Sequence, residues 1–398
     1  MRSQSHKSLH REKRKSYISF CLLGVFVAVF ISAYRDPNFW SDSNLKKIGN
    51  NFVNKVLKKF SKTQEIRPRR PKKKDKITDK EERLIMTYKS IKEFATANKK
   101  REGGGFMVRR PIGDKIDNVD PFLMLDHLGP TVYGPGEAIG APDHPHRGFE
   151  TVTYVIDGGI HHKDSAGNEG NLGPGWVQWM TAGSGVVHSE MPTDELLRTG
   201  GRMEGFQLWV NLPKKFKMSP PRYQDTPPEK IPIVTSPDGG TSVKVIAGEC
   251  LGTKAAIETK IPIMFLDIKI NRGSSFDVSI PENTNSFVYI WRGNGFIGSD
   301  KKPVTMGQVA SLSKEGDVFQ LNASEDSALH AFVIAGQPIE KPIARYGPFV
   351  MNTYEEIQQA FDDYRNGRLG KIDGAEERYA KTEQAKQQNK QSGNWNKH

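Results

Sequence analysis

Two short histidine motifs constrain this chain more than any other feature. His144-Pro145-His146 and His188-Ser189-Glu190 each lie in a segment that reads as β-strand. Alternate side chains of a strand share a face. His144 and His146 therefore point one way together, as do His188 and Glu190. Two such strands side by side in a barrel aim three imidazoles and one carboxylate at one interior point. Glu150 lies four residues past His146, and continued alternation puts it on the same face, as a fifth ligand or as a group that orients a histidine.

The rest of the chain reads as a framework for that cluster. From Phe106 onward, short β-rich segments alternate with Gly, Pro, Asn and Asp turns, the texture of a barrel or sandwich. Phe122 to Leu125, Thr151 to Ile156, Trp176 to Met180 and Phe206 to Leu212 are strand-like. Pro213 to Pro232 reads as a linker. The texture then repeats in Ser242 to Ala247, Met264 to Ile270, Ser286 to Trp291 and His330 to Ala335, which predicts a second, related barrel. That half has a single histidine before the tail, His330, so it cannot rebuild the cluster. Thr353 and Glu356 form a capping box for a helix to Asn366, stopped by Gly367. Its apolar stripe, Ile357, Ala360, Phe361 and Tyr364, is expected to pack on a barrel.

Composition matters chiefly at the front. The net charge is +12, but residues 1–100 hold 26 Lys+Arg against 9 Asp+Glu, which leaves the remainder at −5. No nucleic-acid partner is expected for such a body. Tyr17 to Tyr34 is an uncharged apolar run of 18 residues behind Arg11, Lys13, Arg14 and Lys15. It is about the shortest length that spans a bilayer, and longer than a signal-peptide core. The expectation is a single-pass membrane protein with a cytoplasmic N-terminus. Ser32-Ala33 offers the rival reading, a cleaved signal for secretion or organelle targeting. A basic amphipathic helix around Leu45 to Phe60 could lie on a membrane surface. Arg67 to Lys76 reads as a basic linker, and roughly Asp79 to Ala97 as a further helix. With two cysteines, Cys21 and Cys250, a disulfide framework is excluded.

The donor set itself narrows the chemistry. Three neutral imidazoles and a carboxylate suit Fe, Mn, Ni, Cu or Zn and are poor for Ca or Mg. Burying them with no metal costs on the order of several kcal/mol. His161 and His162, in a turn context, read as surface residues. Gly183-Ser184-Gly185 lacks the setting of a nucleophile elbow, and no phosphate-binding Gly-rich loop is present.

Residues from about Phe106 to Asn366 resemble the pirin family. The segments that carry the resemblance are Asp120-Pro121-Phe122-Leu123, Asp143 to Val152 (DHPHRGFETV), Gln178 to Gly183 (QWMTAG), His188 to Pro192 (HSEMP), Leu208 to Leu212 (LWVNL) and Gly347 to Thr353 (GPFVMNT). The resemblance implies an all-β tandem of cupin (jelly-roll) barrels with one metal, usually iron, in the first. Its ligands would be His144, His146, His188 and Glu190, with Glu190 also the catalytic group and Glu150 behind the ligands. The chain is expected to divide into domains at 104–213 and 232–350, a helix at 353–367 and a polar tail at 371–398. Before them stand a basic flank (1–16), the hydrophobic segment (17–34) and an extension (35–103). Family activities are quercetin 2,3-dioxygenase-like ring opening and, in nuclear members, redox-dependent co-regulation. The hundred-residue front of this chain argues against the nuclear role. Two function classes follow: an Fe2+-dependent dioxygenase acting on a small flavonol-like substrate, or a non-catalytic, redox-dependent module for a protein partner. A monomer is expected.

Overall fold

The computed structural model describes residues 86–102, 106–339, 342–374 and 379–380, all within one compact unit, Glu81–His398. The basic flank, the hydrophobic run at 17–34, the amphipathic stretch and the basic linker lie outside the described residues, as does the tail from 381. Among the described residues no helix is long and apolar enough to cross a membrane. The expectation of a transmembrane segment and a single-pass membrane location is therefore corrected: no described element carries it.

The first barrel is built from the strands between Lys99 and Thr226, preceded by a strand β1 (Ile91–Thr96) that pairs elsewhere. One sheet has seven strands in the order β12 (Arg222–Thr226), β9 (Val177–Thr181), β6 (Phe149–Asp157), β11 (Gly201–Asn211), β4 (Phe122–Tyr133), β3 (Phe106–Ile112) and β2 (Lys99–Glu102). The facing sheet has four: β5 (Ala141–His146), β10 (Val186–Pro192), β7 (Ile160–Asp164) and β8 (Glu169–Leu172). A short helix α1 (Asp194–Thr199) leads into β11. The second barrel repeats the plan. Its seven-stranded sheet contains the strands at Gln308–Leu312, Asn285–Arg292, Leu329–Gly336, Ile263–Ile270, Thr241–Ala247 and Ile233–Thr235, and β1 supplies its outer edge.

Strand alternation explains why the two barrels differ inside. In β6, Val152 and Tyr154 face outward and join Phe206, Leu208 and Val210 of β11. These pack against Phe265, Phe287, Tyr289, Trp291 and Phe332 of the second barrel's large sheet. The opposite face of the second sheet, with Val245, Leu266, Ile268, Val288 and Val333, closes on Val278, Phe319 and Leu321 of its four-stranded sheet. The second barrel is thus filled with apolar side chains. In the first barrel the inward positions include Thr153, Gln207 and Trp209 together with the histidines, and a cavity of about 520 Å³ remains.

Three local expectations are corrected. The stretch expected as a helix up to Ala97 contains β1, which pairs antiparallel with Gln308–Leu312; non-local edge pairing overrides local helix preference there. The linker at Pro213 to Pro232 contains β12, which extends the first barrel's sheet by pairing with β9. The helix α2 (Tyr354–Arg365) keeps its capping box, but of its stripe Ile357 and Ala360 are buried while Tyr364 is exposed. Its buried face crosses back to the first barrel. Ile357 and Ala360 pack with Val187 of β10, Phe349 and Leu369, and Arg147 donates to Asp363 at 2.7 Å.

Candidate metal centre

The antiparallel register sets His188 of β10 directly opposite His144 of β5, with His146 opposite Val186. Cross-strand neighbours share a face, so the three rings converge. Their centroids are 4.3 Å (His144–His188), 4.7 Å (His144–His146) and 5.0 Å (His146–His188) apart. One ring nitrogen from each lies within 4.8 Å of the others.

The remaining ring nitrogens are already engaged. His144 Nδ1 donates to the Pro142 carbonyl at 2.7 Å, and His146 Nδ1 to the Pro348 carbonyl at 3.2 Å. His188 Nδ1 stands 3.3 Å from His162 Nε2. With Nδ1 occupied, Nε2 of each ring is the free lone pair. Nε2 of His146 and of His188 is buried with no hydrogen-bond partner. Burial, then the neighbouring rings, holds both imidazoles well below their usual pKa, so they are neutral bases at neutral pH. Buried lone pairs without a donor cost about 1–3 kcal/mol each. A bound cation removes that penalty, and neutral imidazole suits a transition metal. The residues present fit such an ion.

Glu190 lines the same cavity beside the three rings. Its Oε1 accepts from Thr153 Oγ1 at 3.0 Å, and Gln207 Nε2 donates to Oε1 and Oε2 at 3.0 and 2.9 Å. Gln207 is itself fixed, because Trp209 Nε1 donates to its Oε1 at 3.3 Å. Trp209 and Phe149 close the wall next to His146, with ring centroids 5.2 and 5.0 Å away. The cavity is lined by His144, His146, Thr153, Glu190, Gln207 and Trp209, among others.

Glu150 is elsewhere. The chain between β5 and β6 turns at Gly148, whose φ is +85°, so strand alternation does not continue from His146 to Glu150. Glu150 stands opposite Thr181 and Val210 on the outward face of β6. There it accepts from Thr181 Oγ1 at 2.6 Å, and burial raises its pKa. The expectation that it supports the histidines is corrected.

His162 was missed by the sequence reading, which placed it on the surface. It is 1% exposed, opposite Glu190 on β7, while its neighbour His161 pairs with Glu169 near the surface. Strand alternation within Ile160–Asp164 was the available signal, since adjacent histidines in a strand must face opposite ways. Were His188 to hold a metal through Nε2, its Nδ1 would carry the proton, with His162 Nε2 as its acceptor. Replacing His162 by Phe is expected to weaken metal binding by about 10–100-fold, and His162→Gln, which keeps an acceptor, to restore most of it. Chelator competition reads both; equal affinities for wild type and His162→Phe would count against this role.

The comparisons agree with this architecture. The family model described as Pirin matches residues 105–210, and the Pirin C-terminal cupin domain matches residues 265–370. A pirin-like protein of Solanum lycopersicum is 43% identical over 275 residues, 69% of this chain and 90% of its own length. Mouse pirin is 41% identical over 290 residues, 72% of this chain and 96% of its own. A crystal structure of quercetin 2,3-dioxygenase from Acinetobacter baumannii matches with a TM-score of 0.68 at 38% identity, covering 71% of this chain and 99% of that one. The family match starts at residue 105, beyond the hydrophobic run, and so brings no membrane segment with it. Family models matched over both cupin barrels, and relatives above 40% identity covered over nearly their whole length, make this chain a member of the pirin family.

Proposed function

We propose that the protein is an Fe2+-dependent dioxygenase acting on a small, flavonol-like aromatic substrate of the quercetin type, with the metal held by His144, His146, His188 and Glu190. The observation that carries this reading is the set of three imidazoles whose free nitrogens meet at the wall of a 520 Å³ cavity. A quercetin 2,3-dioxygenase of the same fold supports the substrate class. When bound, the metal supplies Lewis acidity and the capacity to engage O₂.

The chain's own groups do the rest. Trp209, Met124 and Leu128 give the cavity apolar walls that fit a flat ring system and exclude water. Glu190 Oε1 and Oε2 face the same space, and one of them accepts the proton of a substrate hydroxyl. Thr153 and Gln207 hold that carboxylate in place before substrate arrives, which limits the reorganisation needed at the moment of proton transfer.

Oxygen uptake by the iron-loaded protein in the presence of quercetin tests the reading. Substrate-dependent uptake that disappears in Glu190→Gln is the expected result. Iron bound in full stoichiometry with no uptake above a protein-free control would contradict it.

A further inference from the structure

The charged groups that line the cavity at the metal centre are unequally satisfied. Arg110 and Arg345 are the cationic side chains among its described lining residues. Arg110 is saturated. It donates to both oxygens of Asp126 at 2.7 and 2.6 Å and reaches Glu102 at 2.8 Å. Arg345 makes no ion pair among the described residues. Its Nη1 donates to the Leu123 carbonyl at 3.2 Å, and Nη2 lies 3.9 Å from Met124 Sδ. A guanidinium has five N–H donors, so several stay open to solvent or to a ligand.

Its position is set by structure. The guanidinium lies over Trp209, 5.0 Å from the ring centroid, and the other side of that contact chain is His146, 5.2 Å from Trp209. Arg345 is on the strand Ala344–Tyr346, hairpin-paired with Phe349–Met351, and the same hairpin contributes the Pro348 carbonyl that fixes His146. Two contacts through the Trp209 ring thus link the histidine cluster to this cation. Although the residue as a whole is exposed at the rim, partial burial and then the nearby Arg110 lower the pKa of the guanidinium, against the smaller opposing pull of Asp117 and Asp126. An unpaired cation in such a setting attracts an anion and shows a planar fork to its oxygens.

We propose that Arg345 is the anion anchor of this cavity and selects aromatic substrates carrying an anionic oxygen at the end remote from the metal centre. The inference rests on the proposed reading of the cavity as a flavonol-type site and narrows it to acidic members of that class. Arg345 comes from the segment that follows the second barrel, so the second half of the chain contributes to selectivity in the first. Arg345 contacts the ligand in this account and does not take part in bond making.

The test uses two quercetin derivatives with the same metal-facing head, quercetin 7-sulfate and quercetin 7-methyl ether. Their binding to the full-length, iron-loaded protein is measured by calorimetry without oxygen, so that no turnover intervenes. Wild type is expected to bind the sulfate about tenfold or more tightly than the ether. In Arg345→Gln the sulfate should fall to the level of the ether, while affinity for the ether changes by less than about twofold; Arg345→Lys should keep part of the preference. Equal binding of the two by wild type, a preference that survives Arg345→Gln, a parallel loss of both ligands, or no binding of either would overturn the proposal. Discrimination that depends on Arg345, with no oxygen uptake on any flavonol, would leave the anchor standing and remove the dioxygenase reading alone.

Discussion

His188→Ala is expected to lose its transition metal, with affinity falling by more than about 100-fold, while the double barrel stays folded. The magnitude exceeds the 10–100-fold typical of the groups that merely orient a ligand, because a donor is removed outright. The stability of the stripped protein should change little. His188 is fully buried and its Nε2 has no protein partner. Alanine removes that unsatisfied nitrogen, which offsets in part the cavity left by the ring and the loss of its contact with His162 Nε2, and stripped wild type and variant should agree within about 2 kcal/mol. Chelator competition gives the affinity, and urea unfolding of the stripped forms gives the stability. Undiminished metal binding would contradict the assignment. A collapse of stability in the stripped variant would mean that His188 serves the core and not an ion.

The second large effect is expected far from the metal. Phe206 lies at the centre of the face that joins the barrels, with ring contacts to His127, Tyr289, Trp291 and Phe332 at centroid distances from 4.3 to 6.4 Å. Phe206→Ala should destabilise the protein by about 3–5 kcal/mol. Because Tyr289, Trp291 and Phe332 belong to the second barrel, the loss should appear in both halves as one earlier transition. Urea unfolding followed by tryptophan fluorescence and by circular dichroism tests this. Separate transitions for the two signals, or a change below about 1 kcal/mol, would show that the barrels are stable independently.

Much of this was legible in the sequence because the relevant period is local. His144 and His146, two residues apart, must share a face of a strand, and the second half, with His330 as its single histidine before the tail, cannot rebuild the cluster. The apolar stripe of the last helix was similarly readable, including its capping box at Thr353 and Glu356. What was not legible depends on pairing across the chain or on a break in the period. Gly148 ends the alternation that appeared to carry Glu150 to the histidines, and the carboxylate faces Thr181 instead. The burial of His162 follows from the pairing of β7 with β10, 26 residues away along the sequence. Residues 91–96 look helical by composition, yet their partner is a strand more than 200 positions later. Arg345 could not be connected to Trp209 by any local rule.

The central claim is that His144, His146 and His188 hold a transition metal. The most direct measurement is metal content of the purified protein by mass spectrometry, with X-ray absorption on the bound ion, for wild type and for the triple variant His144→Ala, His146→Ala, His188→Ala. The account predicts a single iron per chain in wild type, with imidazole nitrogens in its first coordination sphere, and none in the triple variant. A wild-type protein that takes up no transition metal, or a triple variant that retains it, would contradict the account.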